Sequence, residues 1–218
     1  NFDGVHRGHR ALIRRLLHLK NLLQRPALAV TFDPPPTAIL RPHLLAEPIA
    51  TLQQRLEDIA ALGADSILVL QTSQALLELS ASAFFERLLL KQLEFKGIVE
   101  GRNFCFGRDR QGTITQLQQW CQMENLPCEV VDDVYRRSMR ISSSTIREAI
   151  KRGDVEAACL GLGRPYSLTG RIVHGDHRGR TIGFPTCNLT EIATLVPATG
   201  VYAAEAVLDK RFFAGAVN

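Results

Sequence analysis

The chain has 218 residues, 45% of them hydrophobic and 22% charged, enough to bury one good core and part of a second. No apolar run approaches the roughly 18 residues that a membrane helix needs, and nothing at the start resembles a signal peptide, so a cytoplasmic protein with no membrane partner is expected. The net charge of +4 suits an anionic small molecule as well as nucleic acid, and five scattered cysteines without Cys-x-x-Cys spacing favour reduced packing residues over a disulfide framework or a zinc site.

The opening residues Asn1 to Arg10 hold two histidines, His6 and His9, on either side of Gly8, with Gly4 permitting a tight turn before them. An apolar-periodic run, Leu12, Ile13, Leu16, Leu17 and Leu19, predicts an amphipathic helix starting near Gly8 or His9. A helix start of this kind would set free backbone N–H groups and the positive end of a dipole beside two imidazoles, a place to hold a phosphate chain. The alternative is a pair of surface loop histidines.

Ala27 to Phe32 reads as a buried strand that ends at the Pro34-Pro35-Pro36 breaker. Thr51 and Gln54 form a capping box ahead of a helix over 52–62, which Gly63 stops. Ser66 to Leu70 is the next strand, Ser82 caps a helix carrying Phe84, Leu88, Leu89 and Leu93, and residues 97–100 return to strand. A helix over 116–124 and an extended segment over 128–131 follow. Repeated units of this length predict a parallel sheet with helices on both faces, and ligands at the carboxyl ends of its strands. The loops 1–9, 33–36 and 100–112 fall on that rim.

Arg136, Arg137, Arg140, Arg147, Lys151 and Arg152 crowd one stretch opposed only by Glu148. It lacks the interleaved aromatics of a single-strand binder, so nucleotide phosphates are the simpler partner than nucleic acid. Within it, Thr145 and Glu148 read as a second capping box, and Ser142, Ser143 and Ser144 crowd the same helix start. Plain capping would explain one serine, whereas a polyanion would use them all together with Arg147. Asp154 caps a short helix over 155–160, residues 161–165 break the chain, and glycine-punctuated β-like segments follow over 167–173, 186–189 and 201–207. A domain boundary is placed there, giving domains 1–160 and 161–218.

These residues resemble the bacterial bifunctional riboflavin kinase/FAD synthetase family over essentially the whole chain. Asn1 to His9 is similar to its opening signature of the His-x-Gly-His nucleotidyltransferase type, and Thr31 to Pro36 to its second loop, with Asp33 where Glu is more usual. Glu100 to Gly107 resembles its flavin-side loop, although Glu100 stands in a lead-in expected to be valine-rich. Ile141 to Arg147 resembles its Ser-Ser-Thr-x-Ile-Arg element with Ser144 in the threonine position. Gly179 to Asn188 resembles the Gly-Arg-x-x-Gly-Phe-Pro-Thr-Ala-Asn of its kinase barrel, with Cys187 for a small residue.

The resemblance implies a Rossmann-like α/β nucleotidyltransferase domain with a parallel sheet, followed by the start of a riboflavin kinase β-barrel. It implies an enzyme of FAD biosynthesis that transfers the AMP of ATP to FMN, and in its full-length form phosphorylates riboflavin to FMN. His6, His9 and Arg147 would be catalytic, with Phe2, Asp3, Gly8, Ser142, Ser143 and Ser144 binding the nucleotide. Asn103, Phe104 and Phe106 would face the flavin, the two phenylalanines having a core role as the open alternative. In the second module Gly183, Pro185, Thr186 and Asn188 would bind ATP, and Thr186 and Asn188 would hold Mg²⁺. The chain starts at Asn1 without methionine and stops at Asn218, so it is expected to be a fragment lacking the family's first strand and its kinase base, with no kinase turnover of its own. Two rivals stay open: another nucleotidyltransferase adenylating a pantetheine or nicotinamide phosphate, and a non-catalytic flavin- or RNA-binding module on the same fold.

Overall fold

A computed structural model describes residues 1–173 and 186–218. They form two compact units, Asn1–Ser142 and Ser143–Asn218. Packing thus divides the chain before Ser143, whereas the composition changes only after Gly161.

The first unit alternates helix and strand as the periodicity predicts. Helix α1 (Arg7–Leu23) leads into β1 (Leu28–Asp33), and a short helix α2 (Pro36–Leu40) follows the prolines. The proline run therefore breaks the strand but opens a helix, because a proline in the first turn has no N–H to leave unsatisfied and its φ is already set. Helix α3 (Leu52–Ala61) carries the expected capping box, with the Thr51 hydroxyl accepting from Gln54 N at 3.2 Å and the Gln54 amide oxygen accepting from Thr51 N at 2.8 Å. Strand β2 (Ser66–Gln71) runs parallel to β1 from the pair Leu28 and Ser66 to the pair Asp33 and Gln71.

Beyond α4 (Gln74–Leu77), the single turn α5 (Ala81–Ala83) runs into a π-helical segment, Phe84–Gln92. Its cap is Ser80 rather than Ser82: the Ser80 hydroxyl accepts from Ala83 N at 3.1 Å, so the helix begins before Ser82 and that residue falls inside it. Strand β3 (Ile98–Gly101) is followed by a small antiparallel pair, β4 (Cys105–Phe106) and β5 (Gly112–Thr113), then by α6 (Ile114–Met123). Strand β6 (Cys128–Val131) lies parallel to β3, and the hairpin β7 (Tyr135–Arg136) and β8 (Met139–Arg140) closes the unit. The two parallel pairs, β1 with β2 and β3 with β6, give the α/β architecture its parallel sheet strands.

Two apolar clusters hold this unit. Val5, Ile13, Ala29 and Ile59 join the start of the chain to α1, β1 and α3. Ala81, Phe85, Leu89, Phe106, Leu117 and Cys121 join the π-helical segment to β4 and α6. All five cysteines are free; Cys121 is buried, but Cys187 is exposed and packs nothing.

In the second unit α7 (Ser143–Lys151) and α8 (Val155–Leu162) pack together, and the Ala198 N–H donates to the Ile150 carbonyl at 3.3 Å. Helix α7 begins at Ser143, which puts Thr145 inside its first turn, so the expected capping box of Thr145 and Glu148 does not form the helix start. Helix α8 has its Asp154 cap but runs through Gly161 and ends on left-handed Gly163, past the expected stop. Strands β9 (Arg171–Val173) and β10 (Asn188–Thr190) pair antiparallel, as do β11 (Tyr202–Leu208) and β12 (Arg211–Val217). Asp209 and Lys210, both with positive φ, make the two-residue turn of the last pair, the geometry that matches strand twist.

Ile59 is fully buried in the cluster that seats the start of the chain, so Ile59→Ala is expected to cost about 2–5 kcal/mol in urea unfolding, while exposed Met123→Ala stays within ~0.5 kcal/mol.

Candidate active site

His6 is the N-cap of α1, in extended conformation, and its ring Nδ1 accepts from Gly8 N at 3.1 Å and His9 N at 3.4 Å. An imidazole nitrogen that accepts carries no proton, so the neutral ring has its hydrogen on Nε2. The N–H groups of Gly8 and His9 are therefore occupied by His6, which corrects the expectation of free N–H groups there. Gly8 is required by the same ring, because a Cβ there would stand 2.9 Å from His6 Cε1 and 3.0 Å from Nδ1.

His9, in the first turn of α1, stacks on His6 with ring centroids 3.7 Å apart and planes 17° from parallel. Phe2 lies against its other neighbourhood, ring centroids 5.1 Å apart. Burial, then the proximity of His6, hold the His9 imidazole well below the ordinary histidine pKa. Its Nδ1 is buried without a hydrogen-bond partner. Two imidazoles stacked this closely disfavour a doubly charged pair.

The backbone reaches His6 through a strained turn. Val5 N donates to Phe2 O at 3.0 Å, Gly4 has φ +79°, and Val5 itself has φ +40°, a conformation a β-branched residue rarely adopts. Asp3, expected to bind nucleotide, is buried with Oδ1 accepting from Ile49 N at 3.0 Å and Ala50 N at 3.2 Å, which ties the loop to the entry of α3. Arg55 of α3, which the sequence reading missed, is 6% exposed; its guanidinium donates to Asp33 Oδ1 at 3.0 Å, Asn1 Oδ1 at 3.2 Å and the Phe32 carbonyl at 3.4 Å. The signal was present: Arg55 precedes Ile59 by four residues and so shares the buried face of the helix.

At the carboxyl end of β3, Asn103 Nδ2 lies 3.5 Å from Asp133 Oδ1, and Asp133 also takes Arg140 Nε at 2.9 Å. Phe106 is buried core, T-shaped to Trp120, and half-buried Phe104 stacks on it at 5.5 Å. Both phenylalanines thus belong to the apolar cluster under the loop, and Asn103 is its exposed polar member. Burial pushes the Glu100 carboxyl up to about 7. The Ile141 carbonyl lies 3.9 Å from where a Gly8 Cβ would be, so the chain entering Ser142 passes the histidine turn. In the second unit Ser143 and Arg147 stand one helical turn apart on α7, both half-buried, with Ser144 exposed.

Thr186 and Asn188 are exposed, Asn188 in β10 opposite Val173. Gly183 and Pro185 lie outside the described residues. Among the described residues no three of His, Cys, Asp and Glu gather as a metal site, and no helix is long and apolar enough to cross a membrane.

Because the folded protein holds His9 neutral while the unfolded chain protonates near pH 6.5, stability is full above that pH and falls as pH drops through it. Urea midpoints across pH 7.5 to 5 should show this loss, and His9→Gln should flatten it.

A family model described as FAD synthetase matches residues 1–145, and one described as riboflavin kinase matches residues 162–218. Relatives named bifunctional riboflavin kinase/FMN adenylyltransferase include one from Escherichia coli K12, 33% identical, with 100% of this chain and 70% of that protein covered. The Pseudomonas fluorescens relative is 34% identical with the same coverage, 100% and 70%. That of Listeria monocytogenes is 35% identical over 93% of this chain and 64% of its own. A crystal structure of a Streptococcus pneumoniae protein named a macrolide-efflux protein superposes with a TM-score of 0.90 at 32% identity, covering 99% of this chain and 70% of that one. With histidine turn, serine-rich helix start and both family regions in their expected order, the chain belongs to the bifunctional riboflavin kinase/FMN adenylyltransferase family, the enzymes of FAD biosynthesis.

Proposed function

We propose that residues 1–160 transfer the AMP of ATP to FMN, with His6 and His9 as the residues that meet the reacting phosphates. A phosphate oxygen of FMN attacks the α-phosphorus in line, the bond from that phosphorus to the α,β-bridging oxygen breaks, and pyrophosphate leaves with that oxygen; no covalent enzyme intermediate is needed. The observation that carries this reading is the double acceptance at His6 Nδ1, which fixes a neutral ring with an Nε2–H donor. Such a donor stabilises an oxygen that gains charge in the transition state without having to reorganise. His9, neutral at rest and stacked on His6, gives the pair room for one proton when the triphosphate raises its basicity.

Ser142, Ser143, Ser144 and Arg147 are assigned to the ATP phosphates by the family resemblance, hydroxyls and a planar cation being suited to them. Gly8 serves the nucleotide by seating His6, while Phe2 and Asp3 act from behind by setting His9 and the turn. Asn103 is the flavin-side candidate for direct contact, with Phe104 and Phe106 shaping the loop beneath it. Residues 161–218 supply the riboflavin kinase part, with Gly183, Pro185, Thr186 and Asn188 toward ATP. Thr186 and Asn188 offer neutral oxygen donors, which fit a Mg²⁺ that is carried mainly by phosphates and keeps most of its waters. Bound there, the ion would neutralise phosphate charge. The continuation into a riboflavin kinase region favours a flavin over a pantetheine or nicotinamide phosphate as acceptor. ATP and FMN as substrates support a cytoplasmic site of action.

Incubation with FMN, ATP and Mg²⁺, read by chromatography of FAD, tests the assignment. His9→Ala should lower FAD formation on the order of 10²–10³-fold at saturating substrates with the fold intact. Unchanged turnover would remove His9 from the chemistry. In a protein that phosphorylates riboflavin, Thr186→Ala should abolish that step and spare adenylylation of supplied FMN; loss of both in a folded protein would refute separate sites.

A further inference from the structure

The turn that carries His6 and His9 is strained, and helix α3 with the residues leading into it restrains the turn at three points. A β-branched residue at φ +40° is strained and persists only where its surroundings over-determine it. Val5 is 1% exposed and packs with Ile59 of α3. Two residues earlier, the Asp3 carboxylate takes the N–H groups of Ile49 and Ala50, the residues that lead into α3. At the beginning of the turn, Asn1 is held by the Arg55 guanidinium, which also takes the Phe32 carbonyl and the Asp33 carboxylate of the neighbouring loop. The capping box of Thr51 and Gln54 fixes where α3 starts, and so fixes these attachments against one another.

Arg55 is the member whose presence asks for an explanation. A buried guanidinium is costly unless its donors are used, its Nε is buried with no partner, and its carboxylate partner Asp33 is 42% exposed on the side chain. An apolar residue would pack α3 at less cost, but could not join the histidine turn to the end of β1 in one register. We propose that Arg55 is a positioning residue for adenylylation, holding the histidine turn against the β1 loop so that His6 and His9 meet the phosphates in a fixed place. It touches neither histidine among its hydrogen-bond partners and acts through Asn1, Asp33 and the backbone between Asn1 and His6. This rests on the assignment of His6 and His9 to the chemistry.

The test is a double-mutant cycle of Arg55→Met with His6→Ala, followed by FAD formation and by hydrogen exchange of the Gly8 and His9 amides. Displacing a reacting group by about 1 Å costs on the order of 10²-fold in rate, so Arg55→Met alone should lower kcat by roughly 10- to 100-fold, with KM for ATP and FMN within about threefold. In the His6→Ala background the same change should cost clearly less than in the wild type, because one of the two groups being positioned is gone. The Gly8 and His9 amides, bonded to His6 Nδ1 in the wild type, should exchange faster in Arg55→Met. Arg55→Lys keeps the charge but cannot reach three acceptors as a fork, and it should show the same pattern to a lesser degree; it decides the matter if Arg55→Met does not fold. Equal losses in both backgrounds, or unaltered exchange at Gly8 and His9, would overturn the proposal. A His6→Ala variant with full activity would overturn the assignment of His6 instead, and the exchange result would still decide whether Arg55 holds the turn.

Discussion

A helix N-terminus leaves several backbone N–H groups without partners, and in this protein an imidazole nitrogen satisfies two of them. That bond at the start of α1 sets conditions in both directions along the chain. It fixes the tautomer of His6, and it requires glycine at position 8, where any Cβ would meet the ring. It also requires the preceding backbone to arrive from a turn that places Val5 at positive φ. A serine or aspartate would cap the helix equally well. A histidine caps it with one ring nitrogen and keeps an N–H on the other.

The structure around this turn is arranged to keep it from relaxing. Helix α1 packs on β3 and β6, Val5 and Ile13 sink into the same apolar cluster, and α3 restrains the turn from its other side. The flavin-side loop is supported differently, by aromatic rings: Phe104 on Phe106, and Phe106 edge-on to Trp120. One side carries a stacked histidine pair beside the end of β1, and the carboxyl end of β3 carries an exposed Asn103 on an aromatic base. Strain and buried charge collect at the first and apolar packing at the second, as expected where one must direct chemistry and the other must shape a surface.

Much of this was legible in the residues. The order of elements, the capping box at Thr51 and the carboxyl-end loops follow from periodicity and cap chemistry, which are local properties. Family membership followed from motifs whose spacing is local too. What was not legible depended on contacts distant in sequence. Asp3 accepts from Ile49 and Ala50, and Arg55 reaches Asn1, Phe32 and Asp33, partners that lie tens of residues away. The cap at Ser80 was placed two residues late and the start of α7 at Ser143 three residues late, because several hydroxyls compete for the cap and only backbone geometry selects among them. The N–H groups of α1 were expected to be free because a histidine cap is less common than a serine one.

The central claim is that His6 is neutral and carries its proton on Nε2 because Nδ1 accepts from the backbone. Long-range ¹H–¹⁵N correlation NMR of the imidazole side chains measures this directly at pH 7.5. The account predicts a pyridine-type Nδ1 and a pyrrole-type Nε2 for His6, with the Nδ1 signal moving in Gly8→Ala, where a Cβ displaces the ring. A protonated Nδ1, or a rapidly averaging pair of nitrogens, would contradict it.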